Sequence, residues 1–310
     1  MNSDGSNGNS IRIRGVYTAL ITPFDANGNL HLDGLKRNVE YQLSRGVSGI
    51  LALGTTAETP TLEDEERRQI MKLVVCSVNG QVPVMAGTGS NSTAHTVRDT
   101  NLAESSGANI ALVVTPYYNK PSQEGIYQHF KSVTENSGIP IMVYNIQGRT
   151  GVNIETATLE RIAGLRGIIG VKEASGNIGQ MDDVIQRIAL QRTNFSVMCG
   201  DDALTLPLLS IGGNGVISVV SNLLPGYVYD MVNSALKRDY EHALELHRYL
   251  SPMFKAAFIE SNPVPIKYAM QQLGMSAGGV RLPLYELRES SKQTIDRVLE
   301  KMNLRSQVFV

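Results

Sequence analysis

Lys172 closes the run Ile168-Ile169-Gly170-Val171-Lys172-Glu173-Ala174, where small and apolar residues lead directly into an ammonium group. Such a run reads as a fully buried strand of a parallel sheet. Lysine is among the side chains least often buried without a partner. Period-two alternation puts Ile168, Gly170 and Lys172 on one face, and Ile169, Val171 and Glu173 on the other. Gly170 is expected to leave room beside the lysine stem. A desolvated lysine has a lowered pKa and attacks carbonyl carbon to form a Schiff base. A lysine at a strand end can equally snorkel to solvent, and the run alone permits both readings.

Other reactive groups also follow short apolar runs. They are Thr55-Thr56, Tyr117-Tyr118, Tyr144 with Arg149 close behind, Gly200-Asp201-Asp202 and Ser218. The set suits a carbonyl substrate that carries carboxylates. Lysine supplies the imine nitrogen, hydroxyls pass protons or hold a carboxylate, and arginine grips a second carboxylate in bidentate fashion. Each group also has a plainer role open to it. Thr55-Thr56 could cap a helix, the tyrosines could pack at a rim, and Arg149 could form a surface ion pair. Asp201-Asp202 reads as helix N-cap chemistry, and His95 as a structural or solvent-facing residue.

The elements that must position these groups repeat regularly. Eight apolar runs occupy 16–24, 49–54, 82–89, 109–117, 140–146, 168–174, 195–201 and 215–219. Helical stripes lie between them, as with Leu35, Val39 and Leu43 ahead of the stop at Gly46. Thr61-x-x-Asp64 resembles a capping box, and Ser92 and Ser122 are candidate N-caps. Eight strand–helix units predict a (β/α)8 TIM barrel over 11–236, in which the C-terminal strand ends carry the chemistry. A doubly wound sheet fits less well, because Gly87-Thr88-Gly89-Ser90-Asn91-Ser92 lacks a third glycine and follows the third strand. Residues 237–310 read as a helical region with breaks at Ser251-Pro252, Asn262-Pro263 and Gly278-Gly279. Residues 1–10 are polar and turn-rich and read as a disordered tail, not a signal peptide.

Composition narrows the class further. A net charge of −1 without a basic stripe argues against nucleic acid and anionic membrane as partners. No apolar run reaches the roughly 18 residues of a membrane span. Two isolated cysteines form neither a disulfide framework nor a zinc site and fit a reducing, cytoplasmic setting. The five histidines are scattered without metal-ligand spacing, so neither a metal nor another cofactor is implied. There is no G-x-S-x-G elbow and no P-loop.

From about Gly15 to Leu304 the chain resembles the dihydrodipicolinate synthase family, within the pyruvate-dependent class I aldolases that include N-acetylneuraminate lyase. The motifs are Gly54-Thr55-Thr56-Ala57-Glu58, Thr115-Pro116-Tyr117-Tyr118-Asn119-Lys120-Pro121, Tyr144-Asn145 through Arg149-Thr150-Gly151, Gly170-Val171-Lys172-Glu173-Ala174 and Gly200-Asp201-Asp202. Gly215-Val216-Ile217-Ser218 and Asn262-Pro263-Val264-Pro265-Ile266-Lys267 add to them.

The resemblance implies condensation of pyruvate with L-aspartate-4-semialdehyde. It makes Lys172 the Schiff-base residue, Tyr144 the general acid/base, and Thr55 the link in a relay to Tyr118 of a neighbouring subunit. It makes Thr56, Gly200 and Ile217 part of the pyruvate pocket and Arg149 the aldehyde's carboxylate ligand. The implied assembly is a homotetramer, a dimer of dimers. A sugar-acid aldolase and a silent keto-acid-binding barrel are the alternatives; Arg149 disfavours the first, and intact Lys172, Tyr144 and Thr55 the second.

Two departures from the family pattern carry consequences. Ala57 stands where glycine is common. In the loop that presents Arg149, Gln147 and Gly148 replace a common Pro and Ser, which removes a fixed φ and adds a flexible residue. Arg149 is therefore expected to be more mobile, with the aldehyde KM affected more than kcat. At the family's lysine-binding interface Asn91 and Tyr117 match. His95 stands where an acid is common, and Asp64 and Arg67 where histidines are. Weak or absent lysine inhibition is the expectation.

Overall fold

The computed structural model describes residues 13–305, so the tail expected over 1–10 lies outside the described residues. Eight parallel strands close into a barrel in sequence order, the predicted TIM barrel. They are β1 (Gly15–Ala19), β2 (Gly49–Ala52), β3 (Val84–Gly87), β4 (Ile110–Val114), β5 (Ile141–Asn145), β6 (Ile168–Glu173), β7 (Ser196–Cys199) and β8 (Gly215–Ser218). The helices are α1 (Leu32–Ser44), α2 (Asp64–Val78), α3 (Thr93–Ser105), α4 (Gln123–Glu135), α5 (Gln147–Thr150) and α6 (Thr156–Ala163). They continue with α7 (Ile178–Val184), α8 (Thr205–Ser210), α9 (Pro225–Leu236), α10 (Tyr240–Ala256), α11 (Val264–Gln272) and α12 (Glu289–Lys301).

Strand alternation divides the apolar residues into two cores. Inward residues such as Tyr17, Leu51, Met85, Met142, Tyr144, Met198 and Ile217 fill the barrel. Outward residues such as Val16, Ile50, Val143, Val171 and Val197 pack beneath the helices. Strand register sets Tyr144, Lys172 and Met198 side by side in one inward row.

Helix starts follow local chemistry. Ser92 and Ser122 cap α3 and α4 by accepting from the backbone N–H groups of His95 and Gly125. The capping box of α2 lies two residues beyond the predicted position. Glu63 is the N-cap, and its N–H donates to Glu66 at 2.9 Å. Thr61 is unavailable because it ends the 3-10 turn Thr59–Thr61 and donates its hydroxyl to the Glu58 carbonyl. Pro252 does not break a helix as expected but lies inside α10. The Asn262-Pro263 break is real and separates α10 from α11.

Gly170 does not make room for the lysine. A Cβ there would lie 2.3 Å from the Ser196 carbonyl oxygen, so the glycine serves the close approach of β7. The glycine that accommodates Lys172 is Gly200, where a Cβ would meet Lys172 Cε at 3.0 Å and Cγ at 3.2 Å.

Candidate active site

Lys172 is drawn inside the barrel, not out to solvent. It is 5% exposed, and Nζ lies 4.3 Å from the centroid of the Tyr144 ring. Burial lowers its pKa to about 8, opposed by the negative field of Asp202. Burial likewise raises Tyr144 to about 12, while the Arg149 charge and a hydrogen bond with Thr55 act the other way. An amine that is partly neutral near pH 8 thus faces a phenol that keeps its proton.

Asp201-Asp202 divides its labour. Asp201 caps the following turn by accepting from the N–H of Ala203, as expected. Asp202 does more than cap chemistry. Its buried carboxylate accepts from the Ser218 hydroxyl at 2.5 Å and from the N–H groups of Val219 and Val220 at 2.9 and 3.2 Å. Burial nonetheless raises it to about 6. Glu173 is also fully buried, accepting from the Ser175 N–H at 2.8 Å and from Asn145 Nδ2 at 3.2 Å. It therefore ties β5 to β6 on the outward side of the barrel.

A cavity of about 410 Å³ opens at the C-terminal strand ends. Its wall includes Thr55, Tyr144, Arg149, Tyr117, His95 and Asp64. Lys172, Thr56, Gly200, Ile217, Asn91 and Tyr118 lie off that wall. Gly200 abuts the Lys172 stem, and Ile217 packs with Tyr144 in the inner core. Thr56 is buried, and its hydroxyl accepts from Asn262 Nδ2 at 2.9 Å. Asn91 accepts from Asn119 through its carbonyl. Tyr118 is 88% exposed with a left-handed φ of 73° and does not line the cavity of its own chain.

Arg149 stands on the single helical turn α5 instead of an open loop. The N–H groups of Arg149 and Thr150 donate to the Ile146 carbonyl at 3.1 and 3.0 Å, and Gly151 supplies the left-handed C-cap at φ 75°. The guanidinium lies 3.5 Å from the Asn262 carbonyl.

Towards α2 and α3 the cavity runs into a balanced charge cluster. Arg98 pairs with Asp99 at 2.9 Å, Arg67 with Asp99 at 3.4 Å, and Asp64 sits 4.0 Å from Arg67 and 3.9 Å from Arg98. Among the described residues no group of three or more His, Cys, Asp or Glu could hold a metal ion.

Residues 12–302 match the model of the dihydrodipicolinate synthetase family. The chain belongs to this family. A relative from Protochlamydia amoebophila named 4-hydroxy-tetrahydrodipicolinate synthase is 47% identical over 94% of this chain and 97% of its own. The solved dihydrodipicolinate synthase of Thermotoga maritima superposes with a TM-score of 0.93 at 43% identity, covering 95% of this chain and 100% of that one. A solved variant described as monomeric matches with a TM-score of 0.92 at 43% identity, covering 94% and 97%.

Three contacts around these residues were not legible in the sequence of this dihydrodipicolinate synthetase family member. They are the buried carboxylate of Asp202, the Asn262 contact with Thr56, and an ion pair between Lys267 and Glu58 at 2.7 Å. Asn262 and Lys267 lie in a motif already visible after α10, but their partners are about 200 residues away, a separation that periodicity cannot reveal.

No helix of the described residues is long and apolar enough to cross a membrane.

Proposed function

We propose that the protein condenses pyruvate with L-aspartate-4-semialdehyde to 4-hydroxy-tetrahydrodipicolinate through a Schiff base on Lys172. The observation that carries this reading is a buried lysine with a pKa lowered to about 8, beside Tyr144 at the head of the cavity. The neutral amine attacks the pyruvate ketone, and loss of water forms the imine. Loss of a C3 proton then gives an enamine that adds to the aldehyde carbon, whose oxygen takes up a proton; the amino group of the aldehyde substrate then attacks the imine carbon, closing the ring and releasing Lys172 as the free amine. Tyr144 exchanges protons at the imine, and Thr55 connects it to the relay. Thr56, Gly200 and Ile217 belong to the pyruvate pocket, and Arg149 takes the aldehyde's carboxylate.

Tyr118 is largely exposed and does not line its own cavity, which favours its entering the site of a second copy. The assembly is read as a homotetramer, a dimer of dimers, working in the cytoplasm. Arg149 on the cavity wall favours the aspartate-derived aldehyde over a sugar acid.

Incubation with pyruvate followed by borohydride reduction tests the reading. The expected adduct maps to Lys172 by mass spectrometry, and its absence would end the Schiff-base assignment. Pyruvate consumption with each candidate aldehyde then chooses among the aldolases.

Two further outcomes follow from the cavity wall. A Cβ on Gly148 meets nothing within 4 Å, and Gln147 is the first residue of α5, where proline is tolerated. Gly148→Ser and Gln147→Pro should each stabilise the turn by roughly 0.4–1 kcal/mol. They should lower the aldehyde KM about two- to fivefold with kcat nearly unchanged, by the conversion of about 1.4 kcal/mol per tenfold. An unchanged KM in both variants would count against the link between the turn and the aldehyde.

Asp64 is committed to Arg67 and Arg98, and His95 brings no carboxylate to the cavity. A lysine ammonium therefore lacks the charge-assisted bond worth about 1.5–3 kcal/mol. Steady-state rates should hold in sub-millimolar lysine. Half-maximal inhibition in that range would overturn this reading of the interface.

A further inference from the structure

The segment 262–267 is the one motif singled out in the sequence that the proposed chemistry leaves without a task. Asn262 is only 5% exposed, and its Nδ2 donates to Thr56 Oγ1 at 2.9 Å. A threonine hydroxyl has one proton to give and lone pairs to receive with. With Oγ1 already accepting from Asn262, the Thr56 proton is left for another acceptor, and among the described residues the hydroxyl makes no donor hydrogen bond. As placed, the amide leaves one buried atom, Asn262 Oδ1, without a partner.

The segment is held rigidly enough to impose that direction. Five residues beyond Asn262, the buried Lys267 donates to Glu58 Oε1 at 2.7 Å and to the Thr22 carbonyl at 2.9 Å. Glu58 Oε2 accepts from the Arg281 N–H at 2.9 Å. Glu58 has a left-handed φ of 58° and ends the turn Thr55–Ala57 that carries both threonines. The Lys267 ammonium and the Arg281 guanidinium each lie over the Phe24 ring, at 4.4 and 4.3 Å from its centroid. The backbone carbonyl of Asn262 meanwhile faces the Arg149 guanidinium at 3.5 Å. Asn262, two residues before α11, thus touches both groups proposed to hold carboxylates.

We propose that Asn262 is a positioning residue for the keto acid: its amide turns the Thr56 hydroxyl so that its proton is donated to the pyruvate carboxylate. This deepens the reading of Thr56 as part of the pyruvate pocket and rests on it. In the Asn262→Ala enzyme the hydroxyl is free to rotate, and pyruvate loses a directed, charge-assisted hydrogen bond. The pyruvate KM should rise roughly 10- to 100-fold, the equivalent of such a bond, with kcat within about threefold of the parent once pyruvate saturates. Asn262→Asp changes one heavy atom and keeps the volume. It puts an acceptor where Thr56 now receives a donor, and should raise the pyruvate KM at least as far.

The deciding measurement repeats both changes in a Thr56→Val background. There the hydroxyl is gone, and neither change should move the pyruvate KM further. Equal fold-changes with and without the hydroxyl would mean that Asn262 acts through the fold and not through Thr56, which overturns the proposal. An unchanged pyruvate KM in Asn262→Asp does the same. Borohydride trapping separates this test from the broader one. A parent enzyme without a Lys172 adduct contradicts the Schiff-base function, whereas a normal parent adduct with unaltered KM in the Asn262 variants contradicts this proposal alone.

Discussion

Lys172→Ala should abolish the borohydride-stable pyruvate adduct and lower kcat by roughly 10⁴-fold or more, the scale seen when a covalent nucleophile is removed. Lys172→Arg should do the same, because a guanidinium stays protonated and cannot attack. The pH dependence of the parent enzyme carries the sharper information. An ordinary lysine near 10.5 is about 0.3% neutral at pH 8, whereas one at about 8 is half neutral, a gain of about 150-fold in nucleophile. The direction is set by the sign of the shift. Burial disfavours the charged form, so the reactive neutral form is present above the lowered pKa and is lost as pH falls through it. Adduct formation at low pyruvate should rise about tenfold per pH unit below about 8 and level off above it. A rate that keeps climbing towards pH 10.5 would show that Lys172 is not desolvated when it reacts.

Tyr144→Phe should separate chemistry from binding. The ring that faces Nζ at 4.3 Å remains, but the phenol that hydrogen-bonds with Thr55 is gone. Loss of a general acid/base costs typically 10²–10⁴-fold. That loss should appear in kcat, while the Lys172 adduct still accumulates slowly at saturating pyruvate. Thr55→Val should give a smaller fall in the same parameter, because it acts through Tyr144. A Tyr144→Phe enzyme with parental kcat would remove the phenol from the proton path. The raised phenol pKa also bears on this, since a tyrosine at about 12 retains its proton throughout the working range and is suited to donate before it accepts.

Oppositely directed pKa shifts around Lys172 explain why the site tolerates so much burial. Removing two or three ionisable groups from water disfavours every charged form. Lys172 moves down and Asp202 up, each towards neutrality, and both by burial. Asp202 keeps partial charge through the Ser218 hydroxyl and two backbone N–H groups, and that charge limits the fall of the lysine.

Sequence alone determined the eight-unit barrel, because strand and helix periods are local and repeat the same pattern eight times. It also placed Lys172, Tyr144 and Thr55 at strand ends, since a reactive group after an apolar run is visible without knowing what surrounds it. Whether Lys172 was drawn into the core or snorkelled out was not decided by its own run. The decision came from β5 and β7, whose Tyr144 and Met198 flank it in register, and from Gly200, whose missing side chain leaves space for the stem. Sequence spacing misassigned that space to Gly170 because it counts neighbours along one strand, whereas clearance is measured to the next strand. Arg149 was read as loop-borne for a related reason: a four-residue helix has too short a period to register. The buried Asp202 carboxylate, the Lys267–Glu58 pair and the Asn262–Thr56 bond were decided by tertiary structure only. The last two join positions separated by about 200 residues, and only barrel closure and the return of α11 over the strand ends bring them within hydrogen-bonding distance.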